Sequence, residues 1–147
     1  YFINLPKRMK QFSRGQISSE YLILVGFITF LVLVLLGVSV FYTAATRDRV
    51  VYNDLDFFAK DVIDSAEIVY YAGEPSTTII RPFLPQGVQE ISLTSEGLYI
   101  RLSTSGGEAL LAYPSRVPLA GTLSIGEGVK RIRVTAQPQQ VLISEEA

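Results

Sequence analysis

The sequence predicts an α+β protein in which one long N-terminal helix packs against a small antiparallel β-sheet head. Three observations lead to this fold class: a 22-residue stretch without charge, a helical periodicity that continues beyond it, and a second half of short β-type runs separated by glycine turns. We divide the chain into a basic leader over 1–15, a helix over 16–73 with a membrane span over 21–42, and an extracytoplasmic β-rich head over 74–147.

The leader carries an excess of positive charge. Lys7, Arg8, Lys10 and Arg14 precede Gly15 with no acidic residue among them, whereas the rest of the chain has nine Lys or Arg residues against fourteen Asp or Glu residues. This asymmetry argues against a nucleic acid partner. By the positive-inside rule it predicts that the N-terminus stays on the cytoplasmic side of a membrane.

Cysteine and histidine are both absent from the chain. Their absence excludes disulfides, thiolate nucleophiles, imidazole acid–base catalysis and histidine-ligated metals. The serine and threonine hydroxyls have no histidine to act as their base. We therefore find no catalytic set of residues, and we expect a protein that is not an enzyme and needs neither a cofactor nor a metal.

The uncharged stretch Tyr21–Tyr42 predicts a transmembrane helix. As a helix, its 22 residues span about 33 Å, enough to cross the hydrocarbon core of a bilayer. Tyr21 at one end, and Phe41 and Tyr42 at the other, are typical of the aromatic belts at the two membrane interfaces. A core helix of a soluble protein rarely has so long a stretch that is apolar on every side.

The helix is predicted to continue past the membrane span as far as Ala72. Gly73 followed by Pro75 is a stop signal, and no residue between Tyr42 and Arg49 breaks a helix. One face of this second half is apolar, at a mean spacing of 3.6 residues: Val51, Leu55, Phe58, Val62, Ala66 and Val69. The opposite face is polar: Arg49, Asn53, Asp56, Lys60, Asp64 and Glu67. The spacing of Asp56 and Lys60 predicts an ion pair.

The head is predicted to be a set of short strands. The segment "QEISLTSEGLYIRLSTSGGEALLAY" contains three, with turns at 95–97 and 106–107 and with Leu98, Ile100 and Leu102 on the buried face of the middle one. "LAGTLSIGEGVKRIRVTA" predicts another hairpin around 126–128, and "QQVLIS" predicts a last strand. Because so small a sheet buries little surface alone, we expect it to dock onto the apolar face of the helix.

Several residue groups have a functional and a structural interpretation, and the structural one is favoured for each. The glycine-rich "TSGGE" and "IGEGVK" match no phosphate-binding pattern and are better explained as hairpin turns. Arg131 and Arg133 fall on one face of a strand, which indicates a solvated or subunit-facing surface rather than an anion site. Four aspartates are spread around the helix surface, which favours a soluble face over a cation site: Asp54, Asp56, Asp61 and Asp64.

The stretch "RGQISSEY", from Arg14 to Tyr21, resembles the processing signature of archaeal type IV pilin precursors with class III signal peptides. That signature is a basic residue and a glycine, followed by Gln-x-Ser-x-Glu-Tyr ahead of an apolar helix. The positions that match the recognition motif are Gln16, Ser18, Glu20 and Tyr21. The resemblance covers these eight residues, or about sixty with the helix that follows, and it implies a pilin-like fold.

The resemblance also implies roles for individual residues. A prepilin peptidase would cut between Gly15 and Gln16, after Arg14 and the rest of the leader, and Glu20 would become the fifth residue of the mature chain. In the assembled filament, the Glu20 carboxylate would pair with the new N-terminal amine of Gln16 in a neighbouring subunit. A carboxylate at the edge of the hydrocarbon needs such a partner, because it costs several kcal/mol if unpaired.

The function implied is that of a structural subunit, a major or minor pilin, of an archaeal type IV pilus-like filament with a role in adhesion. The expected partners are the prepilin peptidase, identical or related pilin subunits, the membrane, and the pilus assembly platform with its ATPase. The precursor would sit in the cell membrane as a single-pass protein with a cytoplasmic N-terminus. After processing it would form an extracellular filament.

Two other classes of protein remain open on the sequence. A permanently anchored binding protein would keep its leader, and a conventionally secreted β domain would be cut after Ala45. The mature N-terminus distinguishes the three, being Gln16 for the pilin, an uncut leader for the anchored protein and Thr46 for the secreted one. Because "MKQFSRG" from Met9 would form a complete leader, we expect Tyr1–Arg8 to lie outside the native precursor.

Overall fold

The computed structural model describes residues 14–147, with side chains from residue 18 onward. Within this range the fold is α+β, as predicted, with one helix followed by nine strands. In chain order these are α1 (Arg14–Ala72), β1 (Thr77–Ile80), β2 (Phe83–Leu84), β3 (Val88–Leu93), β4 (Gly97–Thr104), β5 (Gly107–Pro114), β6 (Leu119–Thr122), β7 (Gly128–Val129), β8 (Ile132–Ala136) and β9 (Val141–Glu145).

Helix α1 ends at the residue that the sequence predicts and begins two residues before Gln16. Gly73 ends it in the left-handed conformation, with φ of 84°, and its N–H donates to the Tyr70 carbonyl at 3.2 Å. The chain divides into two compact units, Tyr1–Tyr42 and Thr43–Ala147. The second half of the helix therefore belongs to the same unit as the strands.

The strands form a four-stranded sheet in the order β1-β8-β9-β6, a three-stranded sheet in the order β3-β4-β5, and the pair β2-β7. All pairs are antiparallel except β6 and β9, which run parallel. The antiparallel head is confirmed apart from that one pair.

The three-stranded sheet confirms the predicted meander. Its two turns lie where glycines were expected to place them, and Ile100 on the middle strand is opposite Ile91 on one side and Leu111 on the other. Leu98, Ile100 and Leu102 are buried, as the alternation in the sequence predicts. The last predicted strand is present as β9.

The predicted hairpin around residues 126–128 is wrong. Strands β6 and β8 are not neighbours, because β9 lies between them and pairs with both. Gly121 permits this arrangement: its φ is 128°, and a β-carbon there would lie 1.8 Å from the Ile143 carbonyl oxygen. The glycine-rich segment instead leads into β7, where Val129 is opposite Phe83 of β2.

The core lies between α1 and the inner faces of both large sheets. The predicted apolar face of the helix is buried from Leu55 to Val69, and Val51 packs against its margin. The sheets contribute the other half of the core: Leu84, Val88, Leu98, Ile100, Leu102, Ile132, Val134, Ala136, Val141 and Ile143. The predicted docking of the head on the helix is thus confirmed, and it joins residues that are far apart in sequence into one hydrophobic core.

Polar contacts at the margins of this core fix the helix relative to the strands. Arg47 donates from Nη2 to Gln86 Oε1 at 3.1 Å, and Asp48 accepts a hydrogen bond from the Ser105 hydroxyl. Near the other end, Glu67 Oε1 accepts from the backbone N–H of Arg116 at 3.4 Å. The helix therefore contacts the strands over most of the length from residue 47 to residue 69.

Candidate functional site

The apolar segment Tyr21–Tyr42 exposes all of its side chains within its own unit. The exposed fraction of its large apolar residues runs from 42% at Val25 to 74% at Phe41. A monomeric soluble protein rarely exposes a continuous apolar surface of more than a few hundred Å². This segment therefore needs lipid or other protein chains around it.

In the described part of the chain, α1 is the one helix long and apolar enough to cross a membrane. A core helix of a soluble protein can have the same length and composition, but its apolar side chains would be buried, and here they are not. A signal sequence near the N-terminus also has these properties. The structure thus agrees with a membrane helix and leaves its processing to experiment.

The residues of the "RGQISSEY" motif lie at the start of α1. The backbone of Arg14, Gly15 and Gln16 is helical, and their side chains lie outside the described residues, as does the leader before Arg14. Ser18, Glu20 and Tyr21 are exposed on the first turns of the described helix. The structure thus places the motif on the same continuous helix as the apolar segment.

Glu20 has no charged residue near it on its C-terminal side. The next charged residue in that direction is Arg47, beyond the whole apolar segment, whereas Arg14 precedes Glu20 by six residues. No described residue forms an ion pair with Glu20. In apolar surroundings, a counter-charge for this carboxylate has to come from outside the apolar segment.

The outward face of the second half of α1 carries apolar residues that the sequence interpretation missed. Val50, Phe57, Ile68 and Tyr71 have exposed fractions of 52–70%, although this side was predicted to be polar. At 100° per residue they fall within an 80° sector that also holds Asp61 and Asp64. We call these six residues the outer helix stripe. Its signal in the sequence was the presence of large apolar residues outside the buried periodicity.

The charges near this stripe are only partly neutralised. Lys60 Nζ is 2.6 Å from Asp56 Oδ2, and the hydrogen bond raises the pKa of Lys60. Burial, and then the charge of Asp56, raises the pKa of Tyr113 on β5. Asp61 and Asp64 form no ion pair with the part of the chain that the structure describes, although the charge of Asp64 also acts on Lys60. The outer helix stripe is therefore apolar and acidic.

A second exposed surface lies on the side of the four-stranded sheet that faces away from the core. Strands β1 and β2 form a two-stranded ribbon with β8 and β7, and their side chains alternate between core and solvent. Beyond the pair Thr77 and Thr135, six residues of this ribbon face outward, namely Ile79, Arg81, Phe83, Val129, Arg131 and Arg133. We call them the outer sheet patch. Glu146 contacts both Arg131 and Arg133, and Arg81 has no ion pair among the described residues. The patch is therefore apolar and basic, and the solvated or subunit-facing surface expected at Arg131 and Arg133 is confirmed as an exposed strand face.

Comparison of the chain with protein-family models, with curated proteins and with solved structures found no match.

The charged residue that is buried in the described chain, Lys130, has a structural role. Its Nζ donates to the Ser124 hydroxyl and lies 3.2 Å from Glu145 Oε1, while the Ser124 N–H donates to Glu145 Oε2 at 3.0 Å. Hydrogen bonding from Ser124, with a further contribution from Lys130, lowers the pKa of Glu145. These contacts hold the glycine-rich loop before β7 against the last strand.

The outward face of the three-stranded sheet has a shallow, open depression. It is lined by Glu90, Ser92, Tyr99, Arg101 and Leu110, and Arg101 Nη1 is 3.4 Å from Glu90 Oε2. These residues come together only through strand pairing, so no local pattern in the sequence predicts the depression. In the described residues, no three His, Cys, Asp or Glu side chains group closely enough to hold a metal ion.

Proposed function

We propose that this chain is a structural subunit of a type IV pilus-like filament, made as a membrane-inserted precursor and cut by a prepilin peptidase between Gly15 and Gln16. The observation that carries the proposal is the position of the "RGQISSEY" motif on the same helix as a fully exposed apolar segment. The mature chains assemble through this helix, and the head forms the filament surface and takes part in adhesion.

The first step follows from the charges of the leader. Lys10 and Arg14, the two basic residues between Met9 and Gly15, hold the N-terminus on the cytoplasmic face, so the uncut helix stays in the bilayer. Cleavage removes these charges and leaves an α-amine, which is mostly protonated at neutral pH. The mature helix then begins with one positive charge on Gln16 and one negative charge on Glu20.

The second step follows from the isolation of Glu20. When helices of several copies pack together, the apolar segment offers Glu20 no cation, because no charged residue lies between Tyr21 and Thr46. The N-terminal amine of a neighbouring copy is a counter-charge that can reach this depth. A neighbour displaced along the helix axis would leave the carboxylate unpaired, at a cost of several kcal/mol. The pair thus selects one axial register.

The test determines the mature N-terminus and the filament yield for the full-length chain in cells that contain a prepilin peptidase. The expected mature chain begins at Gln16, and Gly15→Phe leaves the precursor uncut. Glu20→Gln is expected to lower the filament yield at least tenfold per mature chain that begins at Gln16, since 1.4 kcal/mol already corresponds to that factor. Glu108→Gln is a matched control, because Glu108 is exposed on β5, far along the chain from the apolar segment.

Each outcome separates the classes of protein. An uncut leader in the wild type would favour the permanently anchored binding protein, whose ligand the depression beside Tyr99 and Arg101 could contact. A mature chain that begins at Thr46 would favour conventional secretion. Normal filaments from Glu20→Gln would remove the register role of that carboxylate.

A further inference from the structure

We infer that the outer helix stripe of one copy of this chain docks onto the outer sheet patch of a second copy. The inference deepens the proposed function and rests on it, because the partner is another subunit. It concerns the head and the second half of the helix alone, which form one compact unit. Three properties of the two surfaces support it.

The first property is the order of residue types along each surface. On the helix, Phe57 and Ile68 lie at either end of a segment whose centre holds Asp61 and Asp64. That segment is about 17 Å long at the helical rise per residue. Along this segment the residue types follow the order apolar, acidic, acidic, apolar.

The ribbon carries the complementary order. Phe83 and Val129 are opposite each other at one end, and Ile79 is opposite Arg133 at the other. Arg81 and Arg131 lie between these two levels. The distance from residue 79 to residue 83 is about 13 Å along a strand. Docking thus places arginines over the two aspartates and apolar side chains over Phe57 and Ile68.

The second property is charge complementarity. Asp61 and Arg81 have no ion-pair partner in the described chain, and Asp64 makes no ion-pair contact there, although its charge also acts on Lys60. Arg131 and Arg133 share the single carboxylate of Glu146, so the patch keeps a net positive charge. Complementary charges of this kind set the register of an interface and oppose wrong partners. The acidic residues also disfavour insertion of the stripe into lipid.

The third property is the placement of the two surfaces on one subunit. The stripe lies on the side of α1 that faces away from the core, and the patch lies on the side of the sheet that faces away from the same core. The stripe of one copy therefore cannot contact the patch of the same copy. A contact between two different surfaces is heterologous, and repeating it builds an open chain of subunits unless the rotation closes a ring.

Site-specific cross-linking tests this contact, because the chain has no cysteine of its own. Each cysteine is placed beside a surface and not within it. One copy carries Asn53→Cys next to the stripe. The other copy carries either Thr77→Cys or Glu127→Cys, which lie at opposite ends of the patch, and this gives two combinations. Full-length copies are co-expressed in cells that process the precursor, and a short bis-maleimide joins the thiols. One of the two combinations is expected to give dimers at least tenfold above a matched control that pairs Asn53→Cys with Glu108→Cys.

A charge swap then tests the complementarity. Asp64→Arg alone and Arg81→Asp alone are each expected to lower the cross-linked fraction at least fivefold, because each puts like charges together. Both changes in one chain are expected to restore it to within twofold of the starting value. Both residues are exposed, so the fold should survive either change, and resistance of the head to proteolysis checks this.

The possible results separate this interface from the filament proposal. Filaments that form while neither combination exceeds the control would overturn the interface and leave the filament standing. Cross-linking of the stripe to a different protein, or a swap that fails to restore the yield, would also overturn it. Cross-linked copies in cells that make no filaments would support the interface and overturn the filament.

Discussion

Phe57 and Phe58 are neighbours on α1 with opposite surroundings, and they provide a test of how the helix is seated on the head. Phe58 is 1% exposed in the core, whereas Phe57 is 68% exposed on the outward side. Phe58→Ala should cost about 3–5 kcal/mol, the usual range for removing a buried aromatic ring and leaving a cavity. Domains of this size are stable by about 5–15 kcal/mol. One substitution would therefore remove at least about a fifth of the stability of the head.

Phe57→Ala is the matched control, with the same chemical change one residue earlier. Because about two thirds of this side chain is already in solvent, its removal loses only about a third of the transfer free energy. The higher helix propensity of alanine offsets a few tenths of a kcal/mol. The expected net cost is below about 1 kcal/mol. Phe57→Ala should instead weaken cross-linking between copies.

The assay is pulse proteolysis of the head in a urea series, on the full-length chain in detergent. With a denaturant slope of about 1.5 kcal/mol per M, Phe58→Ala should lower the urea midpoint by about 2–3 M. Phe57→Ala should lower it by less than about 0.7 M. Equal shifts for the two variants would refute the proposed seating of the helix, because they would mean that both rings have the same surroundings.

Two further predictions use the same assay. Hydrogen bonding from Ser124 lowers the pKa of Glu145 in the folded head. The ionised Glu145 carboxylate therefore contributes its full stabilisation above the unfolded-state pKa of about 4.3. This stabilisation is lost as the pH falls through the lower pKa of the folded head. The urea midpoint of Glu145→Gln should therefore fall less steeply below pH 4.5 than that of the wild type, and parallel curves would contradict this. Gly121→Ala should destabilise the head by more than about 3 kcal/mol, because its β-carbon would overlap the Ile143 carbonyl. Gly107→Ala has a similar positive φ but open space around the added carbon, so it should cost only about 1–2 kcal/mol, and an equal cost at both sites would rule out the overlap as the cause.

The helix and the meander could be predicted because their signals are local. The end of α1 depends on Gly73, and the buried side of its second half depends on a spacing that six residues repeat. The meander depends on two glycine turns and on alternation within β4. In each case a few consecutive residues contain the information that determines the structure.

The four-stranded sheet could not be predicted in the same way. Its one parallel pairing joins the edge strand β6 to β9 across some twenty residues, and a turn signal at 126–128 says nothing about which strand will lie between two others. Gly121 carries the relevant information, but the need for glycine there becomes visible only when Ile143 is placed beside it. The depression beside Tyr99 and the two outer surfaces depend on the same non-local pairing.

The candidate site also has one part that the sequence predicts and one part that only the structure shows. The motif that contains Glu20 is a sequence signal, and the structure adds that this carboxylate is exposed at the start of an unburied apolar helix. The outer helix stripe could be identified only from the structure. Helical periodicity predicts which residues share a face, but it does not predict which large apolar residues remain exposed. Phe57 and Ile68 are exposed on the side of α1 that faces away from the core.

In the proposed filament, Glu20 and the two outer surfaces make separate contributions to the free energy of subunit association. Moving the apolar segment from lipid into a bundle of similar helices gains little from the hydrophobic effect, because lipid chains are as apolar as the side chains that replace them. The stability and register of the filament must then come from contacts that lipid cannot supply. The pair between Glu20 and a neighbouring amine is one such contact, and the docking of the outer helix stripe on the outer sheet patch is the other. If both operate, the fold-losses in filament yield caused by Glu20→Gln and Arg81→Asp should multiply in the double variant, because free energies add for residues that lie in separate units and share no partner.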